Sequence, residues 1–189
     1  MSNYYRLNSR GWDDDGVSLQ ILKRGIVVDS ISFSGKFDEL FYRLVSGKEL
    51  TQELVASYFF KISGKKDYFP LMLPNILGLP LFREDVLQFF GASSSASLQY
   101  FSLKCDDEDV RKKYFLIYDY TLIDALSNYS DCLIVSDYVL DSSKIDIDAG
   151  FFRLKEDPNP LFCKRSVYDF FSENHYSEWG ADFYPIKSI

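Results

Sequence analysis

Two stretches of this chain pass through the same kinds of residue in the same order, and that echo limits what the chain can become. Pro80-Leu81-Phe82 is followed, after three polar residues, by Val86-Leu87-Gln88-Phe89-Phe90 and then by the strand-like Leu98-Gln99-Tyr100-Phe101-Ser102-Leu103. Pro160-Leu161-Phe162 is followed, after four residues, by Val167-Tyr168-Asp169-Phe170-Phe171 and then by Ala181-Asp182-Phe183-Tyr184-Pro185-Ile186. Each stretch reads as an extended lead-in, a short amphipathic helix and a returning strand. Such a unit can bury its helix only by laying it across a sheet. The spacing therefore predicts a repeated extended-helix-strand unit in the second half.

The remaining segments point the same way. Val17 to Lys23 and Ile26 to Phe33 are rich in β-branched residues and flank Arg24-Gly25, which predicts a hairpin. Phe37, Leu40, Phe41, Leu44 and Val45 recur at helical spacing until Gly47 ends the pattern. Val55 to Ile62 reads as a strand, although Leu50, Leu54 and Tyr58 also fit a helix. Lys113 to Tyr120 reads as a strand joined to the one before it by the loop Asp106-Asp107-Glu108-Asp109, and Cys132 to Val135 and Gly150 to Lys155 supply further strands. The fold class expected is α+β, mostly antiparallel strands with a few short helices. Residues 1–66 are expected to form a strand-rich lobe with one helix and residues 67–189 an α+β region, the two making one compact body.

Composition narrows the functions. Aromatic residues make up 17% of the chain, a level that suits half-buried sheets and protein interfaces. The formal net charge of -7 repels phosphate backbones, and Lys65-Lys66 and Arg111-Lys112-Lys113 are too short to build a basic groove. A basic partner protein would be attracted instead. Cys105, Cys132 and Cys163 are far apart in apolar surroundings, which predicts reduced, buried thiols and a cytoplasmic location. The apolar tract from Tyr68 to Phe82 is broken by Pro70, Pro74, Gly78 and Pro80 and is too short to span a bilayer, so it is expected to lie extended over the core. The start of the chain carries no pattern of a secretion signal.

No constellation for catalysis or cofactor binding stands out. His175 is the single histidine and lies in a polar stretch without a recognisable nucleophile turn. Asp13-Asp14-Asp15 and the set Asp141, Asp146 and Asp148 lack the alternating oxygen ligands and central glycine of a calcium loop; Asp146 and Asp148 alternate with Ile145 and Ile147 as the outer face of a strand would. Glycines do not cluster into a phosphate cradle, and zinc-ligand spacing is missing, so neither cofactor nor metal is expected. A two-carboxylate hydrolase stays open, because such pairs meet only in the fold. The most concentrated acidic run, Asp106, Asp107, Glu108 and Asp109, is the candidate partner-binding site, placed on the tip of a hairpin.

Several ordered blocks carry a resemblance. Pro80 to Phe90 with Gln99 to Leu103, then Tyr118-Asp119-Tyr120-Thr121-Leu122-Ile123-Asp124-Ala125-Leu126, then Gly150-Phe151-Phe152-Arg153-Leu154-Lys155, and last Leu161 to Ile186 with its glycine-led terminal strand from Gly180, are similar to the eleventh immunity family of bacterial polymorphic toxin systems. The likeness covers roughly residues 67–186, and Ser127 stands where that family usually has a second aspartate. The resemblance implies a non-enzymatic cytoplasmic protein that binds and neutralises a cognate toxin, often a nuclease, by covering its active site. The alternatives are a scaffold or regulatory module that binds an endogenous protein and a carboxylate-based hydrolase. Phe152 and Arg153 look motif-like, and their place in a strand gives them a structural role.

Overall fold

A computed structural model describes residues 2–9, 26–34, 38–64, 66–67, 69–75, 79–91, 98–119, 122–128, 137–145, 150–173 and 180–189. The strand expected at Val17 to Lys23 and the one at Cys132 to Val135 lie outside the described residues, as do Asp13 to Asp15, Asp146, Asp148 and His175. Strands are numbered β1 to β12 and helices α1 to α5 along the chain. The fold is α+β with mostly antiparallel strand pairing.

The larger sheet has the order β8 (Leu122–Ile123), β10 (Phe151–Leu154), β11 (Leu161–Lys164), β1 (Tyr4–Ser9), β12 (Ala181–Ser188), β9 (Val139–Leu140). β1 runs antiparallel to both neighbours, with Tyr5 opposite Cys163 on one side and Pro185 on the other. The expected division between residues 66 and 67 is thus crossed by strand pairing at the beginning of the chain. It is crossed again where β3 (Tyr58–Gly64) pairs in parallel with β6 (Lys104–Cys105).

The echo in the sequence is present in the structure. β4 (Leu81–Arg83), α3 (Glu84–Gly91) and β5 (Leu98–Ser102) form one unit, and both of its strands pair antiparallel with β7 (Tyr114–Asp119), which lies between them. β11, α5 (Arg165–Ser172) and β12 form the other, and both of its strands pair antiparallel with β1 between them. The topology is the same, but the central strand follows the unit in one case and precedes it in the other. The two helices meet through Phe89 and Phe170, whose ring centroids are 4.5 Å apart. Each of these phenylalanines stands three residues after the buried valine of its helix, Val86 or Val167.

Alternation along the strands sorts side chains into three cores. On the larger sheet Tyr5, Phe151, Leu161 and Cys163 face the two helices, while Tyr4, Phe152, Phe162 and Ile186 face a layer built from residues 122–126 and 138–145. On the sheet β4-β7-β5, Phe82 and Ile117 face the helices, and Leu81, Leu116 and Tyr118 face a third core against β2 (Ile26–Phe33), β3 and α1 (Asp38–Ser46). Strands buried on both faces read as continuous apolar runs, as in Phe151-Phe152 and Tyr114 to Tyr118. Tyrosine hydroxyls tie α1 down: Leu40 N–H donates to Tyr58 Oη at 3.0 Å, and Tyr118 Oη donates to the Arg43 carbonyl at 2.8 Å. Gly47, with φ 66°, ends that helix as the sequence suggests.

Two local readings need correction. Residues 52–56 form helix α2 (Gln52–Ala56) and not the start of the strand expected from Val55 to Ile62; the strand begins at Tyr58. Thr51 decides this, because its side chain accepts from Leu54 N–H at 3.2 Å and starts a helix that the alternating pattern hides. Asp106 to Asp109 do not form a hairpin tip either. Asp107 caps a further helix, α4 (Glu108–Lys113), which carries the chain from β6 into β7.

The proline-broken tract lies extended over the core where it is described. Leu71, Met72 and Leu73 are buried, and Met72 bridges Phe82. Asn75 is buried too, and its side chain accepts from Leu79 N–H and donates to the carbonyls of Leu73 and Leu79, which closes the turn. No helix among the described residues is long and apolar enough to cross a membrane.

Gly180 packs against the same tract. Its φ is +65°, and a Cβ built there would lie 1.8 Å from the Met72 carbonyl oxygen. Gly180→Ala combines a left-handed backbone, costing about 1–2 kcal/mol, with overpacking of about 1–3 kcal/mol. Urea unfolding should therefore show a loss of roughly 2–5 kcal/mol; a loss within about 0.5 kcal/mol, typical of an unconstrained surface site, would contradict this packing.

Candidate functional site

The four acids singled out in the sequence separate into two pairs once the backbone is in place. Asp106 Oδ1 accepts from Ile62 N–H at 3.0 Å, so this carboxylate satisfies a donor of β3. Asp107 Oδ1 accepts from Asp109 N–H at 3.0 Å and Val110 N–H at 3.2 Å, and its Oδ2 lies 2.7 Å from Lys66 Nζ. Burial pushes the Asp107 carboxyl up, but the hydrogen bond from Lys66, those two backbone donors and the Lys66 charge together hold it below the usual value. The same contact raises Lys66. Asp106 and Asp107 therefore serve the fold.

Glu108 and Asp109 face solvent on the first turn of α4. Glu108 pairs with Lys112 at 2.7 Å across one helical turn, and Asp109 stands 3.6 Å from Lys66. Exposed pairs of this kind hold their partners weakly, so both carboxylates remain available to a competing cation. With Arg111, Lys112 and Lys113 in the last turn, the helix carries acids at its start and bases at its end, an arrangement favoured by its dipole. The run is thus less bare than its sequence suggests.

The strand that follows this helix borders an exposed aromatic edge. α4 runs directly into β7, whose second residue, Phe115, meets Tyr100 of β5 edge to face at 6.2 Å. Tyr100 is 61% exposed. β5 pairs with β7 on one side only, and among the described residues no strand pairs with its other side. Gln52 occupies one position of that free edge: its amide donates to the Ser102 carbonyl at 3.1 Å and accepts from Ser102 N–H at 3.0 Å. Tyr100 is two residues away, so its backbone groups point outward in the same direction, and among the described residues no strand pairs with them. Sequence reading placed Tyr100 in a strand, but the free edge becomes visible only with the strand order.

Two motif-like blocks also come together, through residues 122–126 of one and 150–155 of the other. β8 and β10 pair in parallel, with Leu122 opposite Arg153 and Ile123 opposite Leu154. Arg153 is buried and donates from Nη1 to the carbonyls of Pro158 and Asn159 at 2.7 and 2.8 Å, which supports the structural role expected of it. Phe152 is fully buried. Ser127 Oγ donates to the Val139 carbonyl at 2.7 Å, and Asp141 caps a short 3-10 turn by accepting from Ser143, so both act within the chain. The pairing also sets the Glu156 carboxyl in hydrogen-bond contact with Asp124.

Burial raises the Glu156 carboxyl above its ordinary value, backbone donors pull it down, and the hydrogen bond and charge of Asp124 raise it further. Carboxyl pairs of glycosidases stand about 5 Å or more apart to admit a sugar or a water. A pair in direct contact does not supply that two-carboxylate geometry. Among the described residues there is no group of three or more histidine, cysteine, aspartate or glutamate side chains placed to hold a metal ion. Cys105 and Cys163 are free and buried, and burial pushes both thiols up, away from nucleophilic character; Cys132 lies outside the described residues. No family model and no curated protein matches the chain.

The two roles within the acidic run can be separated by stability. Asp107→Ala removes a helix cap and should cost about 0.5–2 kcal/mol near neutral pH, whereas Glu108→Ala should stay within about 0.5 kcal/mol. Because the folded Asp107 is held below its ordinary value, its contribution is present above that value and is lost as pH falls through the depressed one. Urea titrations should show the gap between Asp107→Ala and the parent chain closing in acid; a gap that persists unchanged would contradict the assignment.

Proposed function

We propose that the protein works by binding another protein, as an immunity protein that neutralises a toxin within the cytoplasm by covering the toxin's active site. The single observation that carries this reading is the free edge of β5, where Tyr100 is 61% exposed. An exposed aromatic at a free strand edge suits the centre of an interface, where the ring supplies contact area, and the exposed α4 carboxylates Glu108 and Asp109 help to steer the encounter with a basic protein. The net charge of -7 extends that steering over the whole molecule. A toxin that cleaves nucleic acid carries basic residues around its cleft, which makes it a partner of the right sign. The likeness of residues 67–186 to the eleventh immunity family supports the same reading.

Open backbone groups add a way to hold the partner. An extended segment laid against β5 could pair with Tyr100 through main-chain hydrogen bonds while the side chains set specificity. Binding would leave the chemistry of the partner intact and only cover it. The mechanism needs no turnover by this chain.

Co-expression with the product of the neighbouring gene tests the proposal. That product should arrest growth alone, be harmless with this protein, and co-purify with it. Tyr100→Ala should weaken the complex by at least about tenfold, and Glu108→Lys with Asp109→Lys should slow association most at low salt. Failure to rescue growth would reject the immunity reading for that neighbour. Rescue with unchanged affinity in both variants would move the interface away from β5 and α4. A stable complex with a harmless neighbour would favour a scaffold.

A further inference from the structure

This chain covers the outer edge of β5 and β6 at one end. β3 pairs in parallel with Lys104 and Cys105, and just upstream the Gln52 carboxamide holds Ser102, accepting from its N–H at 3.0 Å and donating to its carbonyl at 3.1 Å. From Leu98 to Phe101 no strand pairs with that edge among the described residues. Two observations fix which groups face it. Ile117 N–H donates to the Pro80 carbonyl at 2.9 Å, so Ile117 bonds on the β4 side of β7 and not toward β5. Tyr100 stands directly opposite Ile117, and in an antiparallel ladder both members of such a pair turn their backbone groups away from each other. Ser102, two residues on, turns the same way, as its bonds to Gln52 show.

The outward groups of β5 are thus those of Leu98, Tyr100 and Ser102, and Ser102 is already used. One unit that both gives to and takes from a single residue makes the pattern of an antiparallel hydrogen-bonded pair, so Gln52 fills one place of an antiparallel neighbour and the next place lies at Tyr100. Side chains decide what fits there. The Tyr100 ring is largely exposed and meets Phe115 edge to face, and a residue laid opposite Tyr100 sets its own side chain beside that ring. The molecule holds such a pair elsewhere: Arg6 of β1 stands directly opposite Tyr184 of β12, with its guanidinium 4.7 Å from the ring centroid. The net charge of -7 and the exposed Glu53 beside Gln52 favour a cation over an anion in that place, and they disfavour a second copy of this chain as the occupant.

We propose that β5 receives an extended segment of a basic partner protein as an antiparallel strand, with an arginine or lysine directly opposite Tyr100, and that Gln52 marks where this guest strand ends. The inference rests on the reading of the chain as a protein-binding module and adds to it the manner of docking and the side chain recognised. Tyr100 exchanges both of its backbone bonds with the guest, and Leu98 offers the next pair. The guest's cation lies over the Tyr100 ring, as Arg6 lies over Tyr184. Beyond Ser102 the edge belongs to Gln52 and β3, so the register of the guest is set by this chain.

Amide exchange of the full chain, followed by nuclear magnetic resonance, reads this edge residue by residue. The probe is a short capped peptide of alternating valine and threonine with arginine at its centre, N-methylated along one edge so that it cannot stack on itself; its twin carries glutamate at the centre. In the free chain the Ser102 N–H should exchange slowly and the Tyr100 N–H fast, a difference that should vanish in Gln52→Ala. The arginine peptide should slow exchange at Tyr100, leave Gln52 on Ser102, and bind at least about tenfold tighter than its twin at low salt. Tyr100→Pro removes the outward donor where an edge strand tolerates proline, and should abolish binding. Tyr100→Ala keeps the backbone and should narrow the gap between the two peptides, which decides the matter if the proline variant fails to fold. A Tyr100 N–H already protected in the free chain would mean that another segment of this chain holds the edge, and would overturn the proposal. So would two peptides that bind alike, or neither binding at concentrations on the order of millimolar. Those results leave toxin neutralisation to be judged by growth rescue, and a failed rescue leaves the peptide result standing.

Discussion

The larger sheet exists only once β1 has been inserted between β11 and β12. Those partners come from the opposite end of the chain, so Tyr4 must find both Lys164 and Ile186 before either face of the sheet is complete. Closing so long a loop costs entropy before any contact offsets it, and folds dominated by distant pairings assemble slowly. The return is large. Tyr4 and Tyr5, adjacent in sequence, enter two different cores, with Tyr5 stacked on Tyr168 at 4.5 Å and Tyr4 edge-on to Phe152 at 5.9 Å. Both the helical layer and the layer of residues 122–126 and 138–145 depend on a strand that arrives from outside the unit it completes.

That arrangement also explains how two like units coexist in one chain. Each needs a strand between its own two, and the chain supplies β7 from immediately downstream in one case and β1 from far upstream in the other. α3 and α5 meet through Phe89 and Phe170, and their buried valines share one core. The aromatic side chains left exposed among the described residues lie on helices as well as strands, Tyr42 on α1 and Phe89 on α3 beside Phe33, Tyr100 and Tyr184, and of these Tyr100 is the most exposed. The proposed interface follows from what internal packing leaves over.

Much of this was legible in the sequence, because the apolar pattern survives burial. The echo at Pro80 and Pro160, the helix ending at Gly47 and the strands at Ile26, Tyr114 and Phe151 all rest on periodicity or on a backbone that only glycine adopts readily. The short helices α2 and α4 were hidden for a common reason. Each is started by a side chain bonding to nearby backbone, Thr51 to Leu54 and Asp107 to Val110, and such local bonds leave almost no mark on a hydrophobic pattern. The acidic run read as a loop for the same reason, although its second aspartate is a cap. The contact between Asp124 and Glu156 was beyond reading, since these residues are neighbours only because β8 and β10 run side by side. Gly180 was visible as the start of a terminal strand, but not as the place where the chain presses against Met72.

Gln52 has a consequence beyond its own helix. By taking both backbone groups of Ser102, its amide impersonates one residue of a neighbouring strand and shortens the stretch of β5 on which another chain could grow. The part of that edge left for another chain is thus shorter than β5 itself.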